Sequence, residues 1–123
     1  MKNILIVDNS PDLLDLFSLF FQKENFSVKC CNGRASFFEN LQTLIPDLMI
    51  IDVAGSGIDN KTISGDLKKR TALKSIPIII TSTYSTHVKN YKSFGADDGI
   101  EKPFDIKELL YKVKNLLNKE KIT

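Results

Sequence analysis

Ile4-Leu5-Ile6-Val7-Asp8-Asn9-Ser10-Pro11 is the stretch that decides how this chain folds. Four consecutive apolar residues leave no polar face, so a strand made of them is buried on both sides. That is the condition of a strand inside a parallel sheet. Ser10 and Pro11 read as the N-cap and first turn of a helix, because proline presets the helical φ and lacks an N–H that would be unpaired there anyway. Asp8 and Asn9 lie in the turn between strand and helix. They are either turn residues or part of a site at the strand's carboxyl end.

The same alternation runs outward along the chain. A helix is expected from Asp12 to Phe21, with Leu13, Leu16, Phe17, Phe20 and Phe21 as its apolar stripe. Phe26–Cys30 alternates at period two and reads as a half-buried edge strand. Asn32-Gly33 marks a turn, and Ala35–Leu44 a second helix closed by Pro46. Leu48–Ile51 is a third strand that again runs into an acid, Asp52. Lys61–Lys69 is a weaker helix carrying Gly65, and Ile76–Ile80 a fourth strand ending in Thr81. Ser85–Phe94 is a short helix with Gly95 as its C-cap. A brief strand at Gly99-Ile100 precedes Lys102-Pro103, and Asp105–Leu117 forms the last helix. Strands alternating with helices in this way predict an α/β fold, a doubly wound five-stranded parallel sheet flanked by five helices.

Composition narrows the function classes. The 123 residues are 42% hydrophobic and 26% charged, ordinary for one globular domain. A net charge of +2 is too small to argue for direct nucleic-acid binding, and the lysines near Lys68 and Lys112 read as solvated helix faces. No apolar run reaches the roughly 18 residues of a membrane span, and no signal peptide is visible, so a cytoplasmic protein without a membrane partner is expected. Cys30 and Cys31 are adjacent, with Cα atoms about 3.8 Å apart, too close for an ordinary disulfide. They read as reduced packing residues. His87, the only histidine, is expected on a helix surface.

In doubly wound sheets ligands bind beyond the carboxyl ends of the strands. Asp8, Asp52, Thr81 and Lys102 all fall at such ends. Two carboxylates, a hydroxyl and an ammonium at one rim suit phosphoryl chemistry. A hard cation such as Mg²⁺ relieves the repulsion between carboxylates. A carboxylate can itself be a nucleophile, and charge neutralisation plus alignment is most of what phosphoryl transfer needs. Each residue alone has a duller reading as a turn, cap, packing or surface residue; their joint placement argues otherwise.

Ile-Val-Asp-Asn-Ser, Met-Ile-Ile-Asp52, Ile-Ile-Ile-Thr81-Ser82 and Gly95-Ala96-Asp97-Asp98-Gly99-Ile100-Glu101-Lys102-Pro103-Phe104 together resemble the receiver domain of bacterial two-component response regulators. The likeness covers nearly the whole chain, read as one receiver domain over residues 1–123. It implies a flavodoxin-like fold with strand order 2-1-3-4-5, as in a chemotaxis regulator of that family. It implies that Asp52 is the phosphoacceptor, charged by a sensor histidine kinase or phosphotransfer protein. Thr81 then matches the hydroxyl that moves to the phosphoryl group, and Lys102 the lysine that pairs with it. Asp8 and Asp52 match metal ligands, as does Ala54 through its backbone carbonyl. A cis Lys102-Pro103 bond, an unidentified downstream protein and a homodimer face on helix 4, strand 5 and helix 5 are further implications.

Three departures from the family pattern qualify this. Asn9 stands where the family usually has a second acid; its amide still offers a neutral oxygen, so Mg²⁺ binding is expected to be weaker than is usual. Gly99 stands where the family usually has a Tyr or Phe that swings inward on activation. The loop Val53–Asn60 lacks the usual proline, and Asn60 replaces a family glycine. Asn tolerates the left-handed conformation, while Gly55 and Gly57 are expected to loosen the loop. These departures define the alternative, a degenerate receiver that binds partners without phosphorylation. An enzyme is not expected. Phosphatases that work through an aspartyl-phosphate need a second acid two residues after the nucleophile, and position 54 is Ala. A flavin site would need a phosphate loop that Asn9-Ser10-Pro11-Asp12 does not supply.

Overall fold

The computed structural model describes residues 1–122, with side chains described for residues 1–118. Five parallel strands, β1 (Asn3–Val7), β2 (Ser27–Cys31), β3 (Leu48–Asp52), β4 (Ile78–Ser82) and β5 (Asp98–Glu101), form one sheet. Their order is β2-β1-β3-β4-β5, as expected. The helices are α1 (Pro11–Lys23), α2 (Arg34–Leu41), α3 (Asn60–Gly65), α4 (Ser85–Lys89) and α5 (Ile106–Ile122). Among the described residues no helix is long and apolar enough to cross a membrane.

Alternation along the central strands sends side chains into two cores. Leu5, Val7, Met49, Ile51 and Ile80 meet Phe37, Ile58, Ile63 and Leu67 on one face. Ile4, Ile6, Leu48, Ile50 and Ile79 meet Leu14, Phe17, Phe21, Leu109 and Val113 on the other. Each of these aliphatic side chains contributes about 1.5–3 kcal/mol by leaving water. The strands are thereby held in register, and the register sets where each one ends.

Several boundaries differ from those the sequence suggests, each for a local reason. β4 begins at Ile78 rather than Ile76 and runs on through Thr81 and Ser82. Pro77 has no N–H for the ladder, whereas β3 and β5 on either side pair with the polar end of the strand. α2 stops at Leu41, because the Gln42 and Thr43 N–H groups reach back only three residues, to Glu39 and Asn40. The segment expected as one helix over Lys61–Lys69 breaks after Gly65 into a short 3₁₀ turn, Leu67–Lys69. The one expected over Ser85–Phe94 breaks at Asn90 into a second, Tyr91–Phe94, which Gly95 closes at φ +78°.

α1 starts as read, with Ser10 Oγ accepting the Leu13 N–H at 3.3 Å and Pro11 in the first turn. Its buried stripe, however, is Leu14, Phe17 and Phe21, and Leu16 is 48% exposed. Phe17 of this stripe stacks on Phe104, centroids 6.1 Å apart, a contact no single-helix pattern reveals. Cys30 and Cys31 are both free thiols, as expected. Burial and the neighbouring Cys31 push the Cys30 thiol up to about 11.

Candidate functional site

β1 and β3 are neighbours, so the acids that follow their apolar runs arrive side by side. Asp8 and Asp52 are almost completely buried, at 1% and 3% exposure. Two buried carboxylates repel unless a cation joins them. Lys102 supplies one from the end of β5: its Nζ lies 2.7 Å from Asp8 Oδ2 and 3.4 Å from Asp52 Oδ2. The Lys102 N–H donates to the Ser82 carbonyl at 2.8 Å, and the Lys102-Pro103 peptide is cis. Asp8 Oδ1 accepts the Ser10 N–H at 2.9 Å, so the residue that caps α1 also orients the acid. Asp52 Oδ1 accepts the Ala54 N–H at 3.3 Å. Thr81 pairs with Asp52 across the β3–β4 ladder and is buried.

Asp52 is reachable despite its burial. It lines a cleft of ≈ 270 Å³ together with Asn9, Ala54, Gly55, Thr83, Tyr84 and Lys102. The structure thus gathers Asp8, Asn9, Asp52, Ala54 and Lys102 at one rim, with Thr81 on the adjoining strand. Two carboxylates and one ammonium leave the corner with a net charge of −1.

Gly55 is a site residue that sequence reading misses. A Cβ there would stand 2.7 Å from Asp52 Oδ2 and 2.8 Å from Asn9 Oδ1, so glycine lets the loop close over these oxygens without displacing them. The signal was a glycine three residues after an acid, which also reads as an ordinary turn. Ser56 Oγ donates a short hydrogen bond to the Asp52 carbonyl and accepts the Ile58 N–H at 3.3 Å. The left-handed turn falls at Gly57, φ +80°, and Asn60 opens α3 instead. Asp59 caps that helix through the Thr62 N–H and hydroxyl, both at 2.9 Å, and those bonds hold its carboxyl below the usual range.

The convergence of Asp52 Oδ2 and Asn9 Oδ1 on the bare backbone of Gly55, beside the Asp8 carboxylate, is a set of hard oxygen donors. Such donors fit Mg²⁺, with one formal charge fewer than an acid at position 9 would bring.

The model of the response regulator receiver domain matches residues 4–114. The chain belongs to the response regulator receiver domain family. It therefore serves as a signalling module of two-component systems. Response regulator SaeR of Staphylococcus aureus is 29% identical over 98% of this chain, and the chain spans 53% of that relative's length. The signal receiver domain of a histidine kinase from Syntrophus aciditrophicus superposes with a TM-score of 0.86, at 28% identity, covering 100% of this chain and 95% of that one. The response regulator TrrA of Thermotoga maritima, solved with Mg²⁺ and BeF, gives 0.80 at 29% identity, covering 94% of this chain and 99% of that one.

His87 of this receiver is not a plain surface residue. It is half-buried, with Nδ1 2.9 Å from Ser82 Oγ and the ring edge-on to Tyr84 and Phe94. Its partner Ser82 is fully buried, and the periodicity of a short helix could not announce the pairing.

Proposed function

We propose that this receiver is phosphorylated on Asp52 by the phosphohistidine of a sensor kinase or phosphotransfer protein, and that the modification switches its partner interactions. The observation that carries the reading is the contact of Lys102 Nζ with both buried carboxylates at the edge of an open cleft. An Asp52 carboxylate oxygen attacks the phosphorus, the N–P bond of the donor breaks, and the imidazole leaves and takes a proton. Lys102 loses little on transfer, because its ammonium already faces Asp52 and can pair with a phosphoryl oxygen. Thr81, opposite Asp52 on the next strand, offers its hydroxyl to another oxygen. The N–H of Ala54 orients Asp52 before attack.

Mg²⁺, held by the Asp8 and Asp52 carboxylates, the Asn9 amide oxygen and the Ala54 carbonyl, would add positive charge to the transferring phosphoryl oxygens. The neutral amide at position 9 makes its binding weaker than is usual for the family. The receiver domain spans residues 1–123, works in the cytoplasm, and self-associates through α4, β5 and α5.

Intact mass spectrometry after incubation with acetyl phosphate and Mg²⁺ tests the assignment. One added phosphoryl group, abolished by Asp52→Asn, is expected. An unmodified chain under conditions that label a control receiver would favour a phosphorylation-independent binding module.

A further inference from the structure

Position 99 sits on β5, facing α4. A Cβ built on Gly99 would lie 3.3 Å from Tyr91 Cβ, 3.3 Å from Val88 Cγ1 and 3.4 Å from Ile80 Cγ1. Val88 of α4 and Tyr91 of the turn after it thus stand close over the strand, beside a cleft that Val88, Gly99 and Glu101 line. Nothing at position 99 can rotate, and a Cβ there would need Val88 and Tyr91 to give by a few tenths of an ångström. A signal that leaves the Asp52 corner by this route has to be carried by something else.

Ser82 is placed to carry it. It follows Thr81 and is the last residue of β4. Its carbonyl accepts the Lys102 N–H at 2.8 Å, which ties it to the lysine of the carboxylate corner. Its hydroxyl accepts the Tyr84 N–H at 3.0 Å and bonds His87 Nδ1 at 2.9 Å, which ties it to the start and the middle of α4. The imidazole is wedged between the rings of Tyr84 and Phe94, with centroids 5.2 and 5.5 Å away. Phe94 reaches into the core packed under the sheet. One buried residue thus holds the lysine with its backbone and the helix with its side chain.

We propose that the Ser82–His87 hydrogen bond is the lever that couples the Asp52 site to α4 in this receiver, with His87 as a positioning residue for the helix. The inference rests on the phosphoryl reading above. When Thr81 shifts toward a phosphoryl group on Asp52, the end of β4 shifts with it, and Ser82 changes its distance to Nδ1. Because the ring is clamped between two aromatic side chains, α4 follows the ring. A two-state element biased from both ends in this way is the physical requirement for coupling between sites.

The test separates the hydrogen bond from the aromatic packing. His87→Phe keeps ring edges for Tyr84 and Phe94 but has nothing to bond Ser82. His87→Asn places an amide atom near the position of Nδ1 but has no ring. Each variant and the unmodified chain are saturated with beryllofluoride and Mg²⁺, binding is verified by ¹⁹F resonance, and amide hydrogen exchange is followed over residues 85–94. The unmodified chain should change exchange in this segment severalfold on binding. His87→Phe should lose most of that change while still binding beryllofluoride, His87→Asn should recover part of it, and Ser82→Ala should match His87→Phe. A full response in His87→Phe or Ser82→Ala, with beryllofluoride bound, would overturn the lever. Absence of bound beryllofluoride in the unmodified chain would instead sink the phosphoryl reading, and the lever with it.

Discussion

The two flanks of β4 are built on opposite principles. Toward β3 the strand borders a polar corner where Asp8, Asp52 and Lys102 sit within bonding distance and a cleft stays open. Toward α4 and β5 it borders an apolar contact in which Val88 Cγ1 and Tyr91 Cβ stand 3.3 Å from where a Cβ on Gly99 would lie, beside a cleft of ≈ 370 Å³ lined by Val88, Gly99 and Glu101. The first flank stores unbalanced charge. It depends on few atoms, and each of them is pinned from a strand end. The second is a contact in which Val88 and Tyr91 pack over a strand residue that has no side chain. Chemistry tolerates little change in atoms, while mechanical coupling tolerates a change of parts if the volume stays filled.

The largest effect that would break this comparison comes from Lys102. Lys102→Ala should leave two buried carboxylates facing each other and cost about 3–5 kcal/mol, read by urea denaturation at pH 7. Asp52→Asn removes one charge while Lys102 keeps Asp8, so its stability should stay level or rise. If both variants unfold alike, the corner is held by packing and not by charge.

Asn9→Asp sharpens the polar side. A unit charge about 4 Å away at an effective dielectric near 20 is worth about 4 kcal/mol before hydration losses. Mg²⁺ affinity, measured by titration calorimetry, should rise by roughly tenfold or more, while the metal-free variant should be less stable than the unmodified chain. Gly99→Tyr sharpens the apolar side. It should destabilise by about 1–3 kcal/mol, because its Cβ would crowd Val88 and Tyr91 at 3.3 Å, and should not enhance the response of α4 to beryllofluoride. A stabilised Gly99→Tyr protein would show that the contact over Gly99 is loosely packed.

The smallest effect lies far from β4. Burial holds the Cys30 thiol at about 11, above its ordinary value of 9.0, so alkylation at pH 8 should be slow, with a rate that rises toward that higher value. The sign for stability follows: the unfolded chain ionises first, so Cys30 should lower stability as pH climbs from about 9 toward 11, read by thermal denaturation in alkaline buffers.

Much of the fold was legible because its signals are local. A run such as Ile4–Val7 is informative by itself, and so is Ser10 before Pro11, since capping and strand burial act over a few residues. The carboxylate corner was legible for a second reason: parallel strands put all their carboxyl ends on one edge, and the strand order implied by the resemblance makes β1 and β3 neighbours. The true stripe of α1 was not, because Leu14 and Leu16 are equally apolar and only docking of the helix on the sheet and α5 buries the first and leaves the second exposed. The role of Gly55 was hidden in the same way, since its closeness to Asn9 and Asp52 exists only after the loop has folded over them.

By itself, then, the order of residues determined the parallel sheet and the acids and lysine that would share its edge, because periodicity and strand polarity depend on neighbours along the chain. Tertiary structure alone decided that α4 lies on Gly99, that Ser56 ties the loop beside Asp52, and that His87 finds Ser82. Those are contacts between side chains whose distance is set by packing of whole elements, and no local pattern encodes that distance.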